Sequence, residues 1–204
     1  MLDTIELVKT LGYVGLTSLI FTETGLLIGL LLPGDSVLFS AGFLASMGYL
    51  HLLPLFLLTF CAAVLGDSVG YALGKKYGPK IFVKEKSLFF DKQHIERAQR
   101  FYTKHGGKTI ILARFIPIIR TLAPVLAGVG AMRYKTFLAY NIVGGFLWTT
   151  SMLGLGYFLG KTIPNADKYV LPIVAGIIFV SVLPSMLSLV KHKMAVKQNN
   201  SVLP

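Results

Sequence analysis

Five ionisable residues lie within stretches of sequence that are otherwise apolar enough to enter a lipid bilayer. A charged side chain at the centre of an isolated membrane helix costs about 2.5–3.5 kcal/mol on insertion scales, so exposing all five to lipid would cost on the order of 10 kcal/mol. These groups must therefore face one another or a wet cavity. Three are acids and two are arginines: Glu23, Asp35, Asp67, Arg114 and Arg120.

The side-chain types define a chemistry of anion binding and proton exchange. A guanidinium group forms a bidentate pair with phosphate, so we expect Arg114 and Arg120 to bind a phosphate group. Burial disfavours an ionised carboxyl group whereas a nearby arginine favours it, so we expect Glu23 and Asp35 to exchange protons. A second interpretation stays open, in which the same residues are buried ion pairs that only fix how parts of the chain dock.

Two Gly/Pro-rich apolar segments, 23–46 and 109–132, contain four of these charges. A proline inside a membrane helix removes a backbone hydrogen bond, and the freed carbonyl group must be satisfied by protein or water. We therefore expect each segment to form a re-entrant helical hairpin. The residues expected to support the site at the turns are Pro33 and Gly34 in the first segment, and Pro117 and Pro124 in the second.

Composition indicates an all-α polytopic membrane protein. The chain has 204 residues, of which 54% are hydrophobic and only 14% charged, with a mean hydropathy of +0.68. Soluble domains are about one-quarter charged. Segments 137–160 and 169–190 carry no charge, and 52–74 carries one; each is long enough to cross ~30 Å of hydrocarbon. We expect residues 1–204 to form a single membrane domain.

The sequence contains a weak internal duplication at an offset of 86 residues. GYALGK (70–75) falls on GYFLGK (156–161), among ten identities without a gap. We predict one repeat at about 20–75 and a second at about 109–161. A re-entrant hairpin plus one crossing helix gives an odd number of crossings, so the two repeats must be inverted, as in many transporters. An extra C-terminal transmembrane helix, 169–190, would follow.

The connecting segment 76–108 is predicted to be a cytoplasmic loop. Ten of the twenty basic residues fall within 75–108, the pattern of the positive-inside rule. The net charge of +11 therefore predicts contact with anionic headgroups and not with nucleic acid. Residues 91–105 are expected to form a surface helix within this loop.

Asp67 stands in LGDSVGY, beside Ser68, and is the weakest of the site candidates. It is expected to cap or to bond within a helix and to support the site. The stripe of Gly66, Gly70 and Gly74 predicts close helix packing.

Other chemistries find no support. The single cysteine, Cys61, cannot form an intramolecular disulfide, and the four histidines have no metal-ligand spacing. We expect neither a metal nor a cofactor. A membrane enzyme such as a lipid phosphatase would need a histidine nucleophile near basic residues at membrane depth, so we expect no enzymatic activity.

At the charged segments the chain resembles the DedA family of bacterial membrane proteins, which shares its core domain with eukaryotic lipid scramblases. The resemblance lies in RFIPIIRTLAPVLAGVGAM (114–132), in GDSVGYALGKKYG (66–78) and in the acid of Glu23 with the PGD of 33–35. It implies a functional set of two embedded acids and two arginines, which map onto Glu23, Asp35, Arg114 and Arg120. It also implies location in the bacterial cytoplasmic (inner) membrane and movement of undecaprenyl phosphate.

The resulting hypothesis is a proton-coupled flippase for undecaprenyl phosphate. A broader phospholipid transporter or scramblase, and a proton-coupled ion exchanger without a lipid substrate, are the alternatives. The hypothesis is compatible with a homo-oligomer.

Overall fold

The computed structural model describes residues 4–26, 33–81 and 106–163, and every regular element in these ranges is an α-helix. The predicted surface helix 91–105 and the predicted C-terminal helix 169–190 lie outside the described residues. The helices are α1 (Thr4–Gly25), α2 (Gly34–Ser46), α3 (Leu52–Ile81), α4 (Lys108–Ala113), α5 (Pro117–Val129) and α6 (Tyr134–Thr162).

Two helices of the described part are long and apolar enough to cross a membrane. They are Leu52–Gly78 within α3, and α6, Tyr134–Thr162. They correspond to the predicted helices 52–74 and 137–160, which are thereby confirmed as long apolar helices. A hydrogen bond from the backbone N–H of His51 to the hydroxyl oxygen of Tyr13 (2.7 Å) ties the start of α3 to α1.

Turn residues mark the start of α2, the end of α2 and the start of α5. Pro33 precedes α2, and Pro117 is the first residue of α5, where its missing N–H and fixed φ suit a helix start. Gly48, with a φ of +81°, turns the chain after α2, because this left-handed backbone favours glycine. Both predicted segments are thus broken helices, but whether they re-enter the membrane stays a prediction.

Two details of that prediction are wrong. Glu23 does not begin a hairpin: it lies near the end of the 22-residue helix α1, since no proline interrupts that helix and its last residue is Gly25. Pro124 does not lie in a turn but inside α5. A methyl group at Gly70 of α3 would lie 3.4 Å from Pro124 Cβ, so the proline ring packs against a helix surface that has no side chain.

Each broken helix packs against the long helix of the other half of the chain. Gly42 of α2 lies against the backbone of Leu153 in α6. Gly128 of α5, which is 86 residues further along than Gly42, lies against the backbone of Tyr71 in α3. Glycine allows this close approach, because a side chain at either position would overlap the facing backbone. The duplication and its inversion themselves stay predictions.

The buried side chains form two clusters, one around α2 and α6 and one around α4 and α5. Their principal members are Ile20, Leu38, Ala41, Leu55, Ala63, Trp148 and Leu153 in the first, and Tyr71, Ile110, Ala113, Ala123, Ala127 and Phe137 in the second. The chain also buries four charged side chains: Glu23, Asp67, Arg114 and Arg120.

Candidate functional site

Arg120 is the centre of a buried ionic group formed by three helices. It lies in the first turns of α5 and is 3% exposed. Its Nη2 donates to Glu23 Oε1 at 2.5 Å, and its Nη1 donates to Asp35 Oδ1 at 2.6 Å. Glu23, near the end of α1, is 1% exposed, whereas the Asp35 side chain, at the start of α2, is 37% exposed. Asp35 is therefore the one of the three that solvent or a ligand can reach.

Gly34 makes room for the carboxylate of Glu23. A methyl group at this position would lie 2.9 Å from Glu23 Cδ, closer than real carbon atoms approach. The Pro33–Gly34–Asp35 sequence thus starts α2 and lets α1 bring its acid close to that start, while placing the second acid in the first turn. Glycine at 34 is needed for close approach and not for an unusual backbone angle.

Trp148 of α6 completes the surroundings of Arg120. Its indole is fully buried, and Nε1 donates to Asp35 Oδ1 at 2.7 Å. Arg120 Cζ lies 4.7 Å from the centroid of the ring, within the range of a cation–π interaction. The guanidinium group is thus held at both terminal nitrogens by carboxylates and covered on one face by an aromatic ring.

Arg114 belongs to a second buried ionic group. It lies in the three-residue break between α4 and α5 and is 1% exposed. Its Nη2 donates to Asp67 Oδ2 at 2.5 Å, to Asn141 Oδ1, and to the carbonyl oxygen of Ala63 at 3.4 Å. Asn141 Nδ2 in turn donates to the carbonyl oxygen of Val64 at 3.0 Å. Arg114 therefore links α3 and α6 through its side chain.

A glycine pair in α6 provides the space for Arg114. Methyl groups at Gly144 and Gly145 would lie 3.1 Å from Arg114 Cδ and 3.5 Å from its Cζ. A larger residue at Gly144 would press on the side chain that reaches Asp67, so these glycines are part of the site.

Several atoms of the two ionic groups are buried without a hydrogen-bond partner among the described residues. On the acceptor side they are Glu23 Oε2 and Asp67 Oδ1; on the donor side they are Arg114 Nε, Arg114 Nη1 and Arg120 Nε. Unpaired buried donors suit an anion, and unpaired carboxylate oxygens suit a proton. The site can therefore take up both kinds of ligand chemically. In the described part of the chain, no cluster of three or more acidic, histidine or cysteine side chains is arranged to hold a metal ion.

The structure distributes the predicted residues over two ionic groups. Glu23, Asp35 and Arg120 come together, but Arg114 contacts neither acid; its partner is Asp67. The expectation that Asp67 caps or bonds within its own helix is therefore wrong. Asp67 forms half of a buried interhelical ion pair.

Sequence reasoning missed Asn141 and Trp148. A signal was present: Asn141, Gly144, Gly145 and Trp148 follow i, i+3, i+4, i+7 spacing and so share one face of α6. All four are buried in the structure.

Comparison with known proteins matches the VTT domain family over residues 32–158. The chain is also 44% identical over 195 residues to Protein DedA of Escherichia coli K12, an alignment that covers 93% of this chain and 89% of that protein. The chain belongs to the DedA family. The resemblance found in the sequence is confirmed.

Other relatives of this DedA-family protein are named as membrane proteins. It is 45% identical over 170 residues to an uncharacterised membrane protein of Mycobacterium leprae, covering 83% of this chain and 76% of that one. It is 36% identical over 157 residues to the inner membrane protein YqjA of E. coli K12, with 77% and 71% covered. No solved structure matches. Family membership and the two span-length helices identify the chain as a membrane protein.

Proposed function

We propose that this protein is a proton-coupled flippase that moves undecaprenyl phosphate across the bacterial cytoplasmic membrane. The observation that carries the proposal is Arg120, whose terminal nitrogens are held by two carboxylates at 2.5 and 2.6 Å inside a membrane protein, with only Asp35 partly exposed. A guanidinium group binds carboxylate and phosphate oxygens through the same charge-assisted hydrogen bonds, so a phosphate group can take the place of one of these carboxylates.

The carboxylates supply the means of release. A carboxylate that takes up a proton loses its charge and accepts a weaker hydrogen bond, so Arg120 becomes available to a phosphate oxygen. When the proton leaves, the carboxylate competes for the guanidinium group again and expels the phosphate. The two ionic groups together contain three carboxyl groups and two guanidinium groups, so one carboxyl group has no cation of its own.

Arg114 has the second role in this proposal. Its Nη2 is engaged by Asp67 and Asn141, but its Nε and Nη1 have no partner within the described ranges. Arg120 would bind the phosphate first, and the free nitrogens of Arg114 would receive it as it moves between the two halves of a single membrane domain with inverted repeats. Alternating access of this kind is the common consequence of inverted repeats.

Transport in liposomes tests the proposal. Purified protein is reconstituted with undecaprenyl phosphate, and a phosphatase added outside measures how much of the lipid reaches the outer leaflet. Arg120→Ala should abolish transport. Lys161→Gln, which removes an exposed cation at the end of α6, is the matched control and should transport normally. Normal transport by both Arg120→Ala and Arg114→Ala would refute the phosphate assignment.

The same vesicles separate the alternatives. A fluorescent phospholipid that crosses as fast as undecaprenyl phosphate would indicate a broader phospholipid transporter or scramblase. Proton flux that depends on a cation and persists without any lipid phosphate would indicate an ion exchanger.

A further inference from the structure

Two hydrogen-bond donors from different helices converge on one carboxylate oxygen. Asp35 Oδ1 accepts from Arg120 Nη1 at 2.6 Å and from Trp148 Nε1 at 2.7 Å. Both donors are almost completely buried, whereas the Asp35 side chain is 37% exposed. Solvent therefore reaches the acceptor, Asp35, whereas the two donors are buried.

The guanidinium group of Arg120 is buried among its partners. The indole of Trp148 covers one face of the guanidinium group at 4.7 Å, and Glu23 holds the Nη2 end. The remaining terminal nitrogen, Nη1, is the one bonded to Asp35. Arg120 Nε has no partner but is buried, and an anion that binds at Nη1 must displace Asp35.

Displacement of Asp35 would leave the indole N–H of Trp148 without a partner. An indole N–H is a donor only, and a buried donor that loses its acceptor is destabilised by its full desolvation penalty. Phosphate oxygens and carboxylate oxygens accept hydrogen bonds at similar distances. An incoming phosphate oxygen at the position of Asp35 Oδ1 would satisfy both donors at once.

We propose that Trp148 Nε1 and Arg120 Nη1 form a two-donor binding site for one oxygen of a lipid phosphate, and that the carboxylate of Asp35 is the internal competitor for this position. The inference rests on the proposed function and adds Trp148 as a ligand of the phosphate. Asp35 thereby has a role beyond proton exchange, because it sets the affinity of the site for anions.

Trp148 is the only tryptophan of the chain, so its fluorescence reports on this site without a label. The protein is placed in phosphatidylcholine nanodiscs at fixed pH, and undecaprenyl phosphate is added in steps. We expect a saturating change in Trp148 emission, which Arg120→Ala abolishes. A parallel titration with inorganic phosphate shows whether the phosphate group binds without its lipid tail. A response to either ligand supports the two-donor site, and the comparison shows whether the anion is a lipid headgroup or free phosphate.

The control fluorophore lies on the same helix. Phe158 is 71% exposed, and Phe158→Trp in a Trp148→Phe background moves the tryptophan out of the site. Its emission should not respond to either ligand. A response of equal size at this position would show that the signal arises from the lipid environment and would overturn the proposal.

Two variants test the affinity with radiolabelled undecaprenyl phosphate. Trp148→Phe keeps a ring over Arg120 but removes the N–H, and binding should weaken about ten- to hundred-fold, as expected for one hydrogen bond to a charged group. Asp35→Asn removes the competing charge while keeping the shape, so binding should become several-fold tighter although transport is lost.

The outcomes distinguish this inference from the function on which it rests. Unchanged binding in Trp148→Phe, or no fluorescence response in a wild-type protein that transports, overturns the two-donor site and leaves the transport function standing. A fluorescence response in a protein that moves no lipid refutes the proposed transport function, whereas the two-donor anion site is still supported. The wild-type titration needs no variant, so the test does not depend on the folding of Trp148→Phe.

Discussion

Breaking the Asp67–Arg114 ion pair should destabilise the protein, and removing both charges should restore most of the loss. The two side chains are each 1% exposed and are joined at 2.5 Å. Removing one partner of a buried ion pair typically costs 3–5 kcal/mol, because the other charge stays buried without compensation. In Asp67→Asn, Arg114 keeps the acceptors on Asn141 and Ala63. We therefore expect the lower end, about 3 kcal/mol.

The double variant Asp67→Asn/Arg114→Gln carries no buried charge at this position. Replacement of both partners by neutral groups of similar shape is often close to neutral. The double variant should thus be more stable than Asp67→Asn alone, with a coupling free energy of at least about 2 kcal/mol in the double-mutant cycle.

The free energy of unfolding is measured by titration with SDS in mixed micelles, followed by circular dichroism. Ser68→Ala, the neighbouring position on α3, is the matched control: its hydroxyl donates within the same helix to the carbonyl oxygen of Val64 at 2.8 Å. This loss should change the free energy by less than about 1 kcal/mol. An Asp67→Asn protein as stable as Ser68→Ala, or strictly additive effects in the cycle, would refute the reasoning.

The same double variant decides between the two interpretations of Arg114. If the ion pair only docks helices, a stable double variant should transport undecaprenyl phosphate normally. If the free nitrogens of Arg114 contact phosphate, the variant should fold, with its circular dichroism unchanged, and should fail to transport.

Three further predictions concern the glycines and the cysteine. Gly74→Ala should destabilise the protein by about 1–3 kcal/mol because its methyl group would overlap the backbone of α5. In the same unfolding assay Gly154→Ala, whose methyl group would meet nothing within 4 Å, should be neutral or stabilising. Equal changes in the free energy of unfolding for the two variants would contradict the packing of α3 against α5. Gly34→Ala should push the Glu23 carboxylate away from Arg120, so transport should fall by ten-fold or more while the unfolding free energy changes by less than about 2 kcal/mol. A nitroxide on Cys61, the single cysteine and an exposed residue in the middle of α3, should be more accessible to oxygen than to a water-soluble nickel complex; the reverse would place this face of α3 in water.

Sequence reasoning located the long helices and the buried charges because both follow from the energetics of lipid. An apolar run of more than 20 residues has few alternatives to a spanning helix. The cost of burying Glu23, Asp35 and Arg120 was enough to predict that they must face one another or a wet cavity. Their contact in the structure reflects that constraint.

The choice of partner for Arg114 could not be predicted in this way. Any carboxylate at the same depth would compensate its charge, and depth depends on how far α4 and α5 are shifted along α3. That shift is set by glycine contacts such as Gly74 against Val125, which specify a register only once the facing helix is known.

Pro124 shows the limit of local rules. A proline inside a helix removes a hydrogen bond and normally predicts a break. Here the ring packs against Gly70, and α5 continues to Val129. Local preference was overridden by a tertiary contact that no pattern within residues 109–132 reveals.

The packing of α2 against α6 can form only after most of the chain has been synthesised at the ribosome. α2 begins at residue 34 and α6 at residue 134, so about 100 residues separate them, or roughly 5–20 s of translation at 5–20 residues per second. For most of this interval the nascent chain that carries Asp35 does not yet contain Arg120, and at no point in it does the chain contain Trp148. Quality-control proteases can therefore degrade the incomplete chain until its second half has been made. Codon changes that slow translation between α3 and α6 should lower the abundance of the protein while leaving the stability of the finished molecule unchanged.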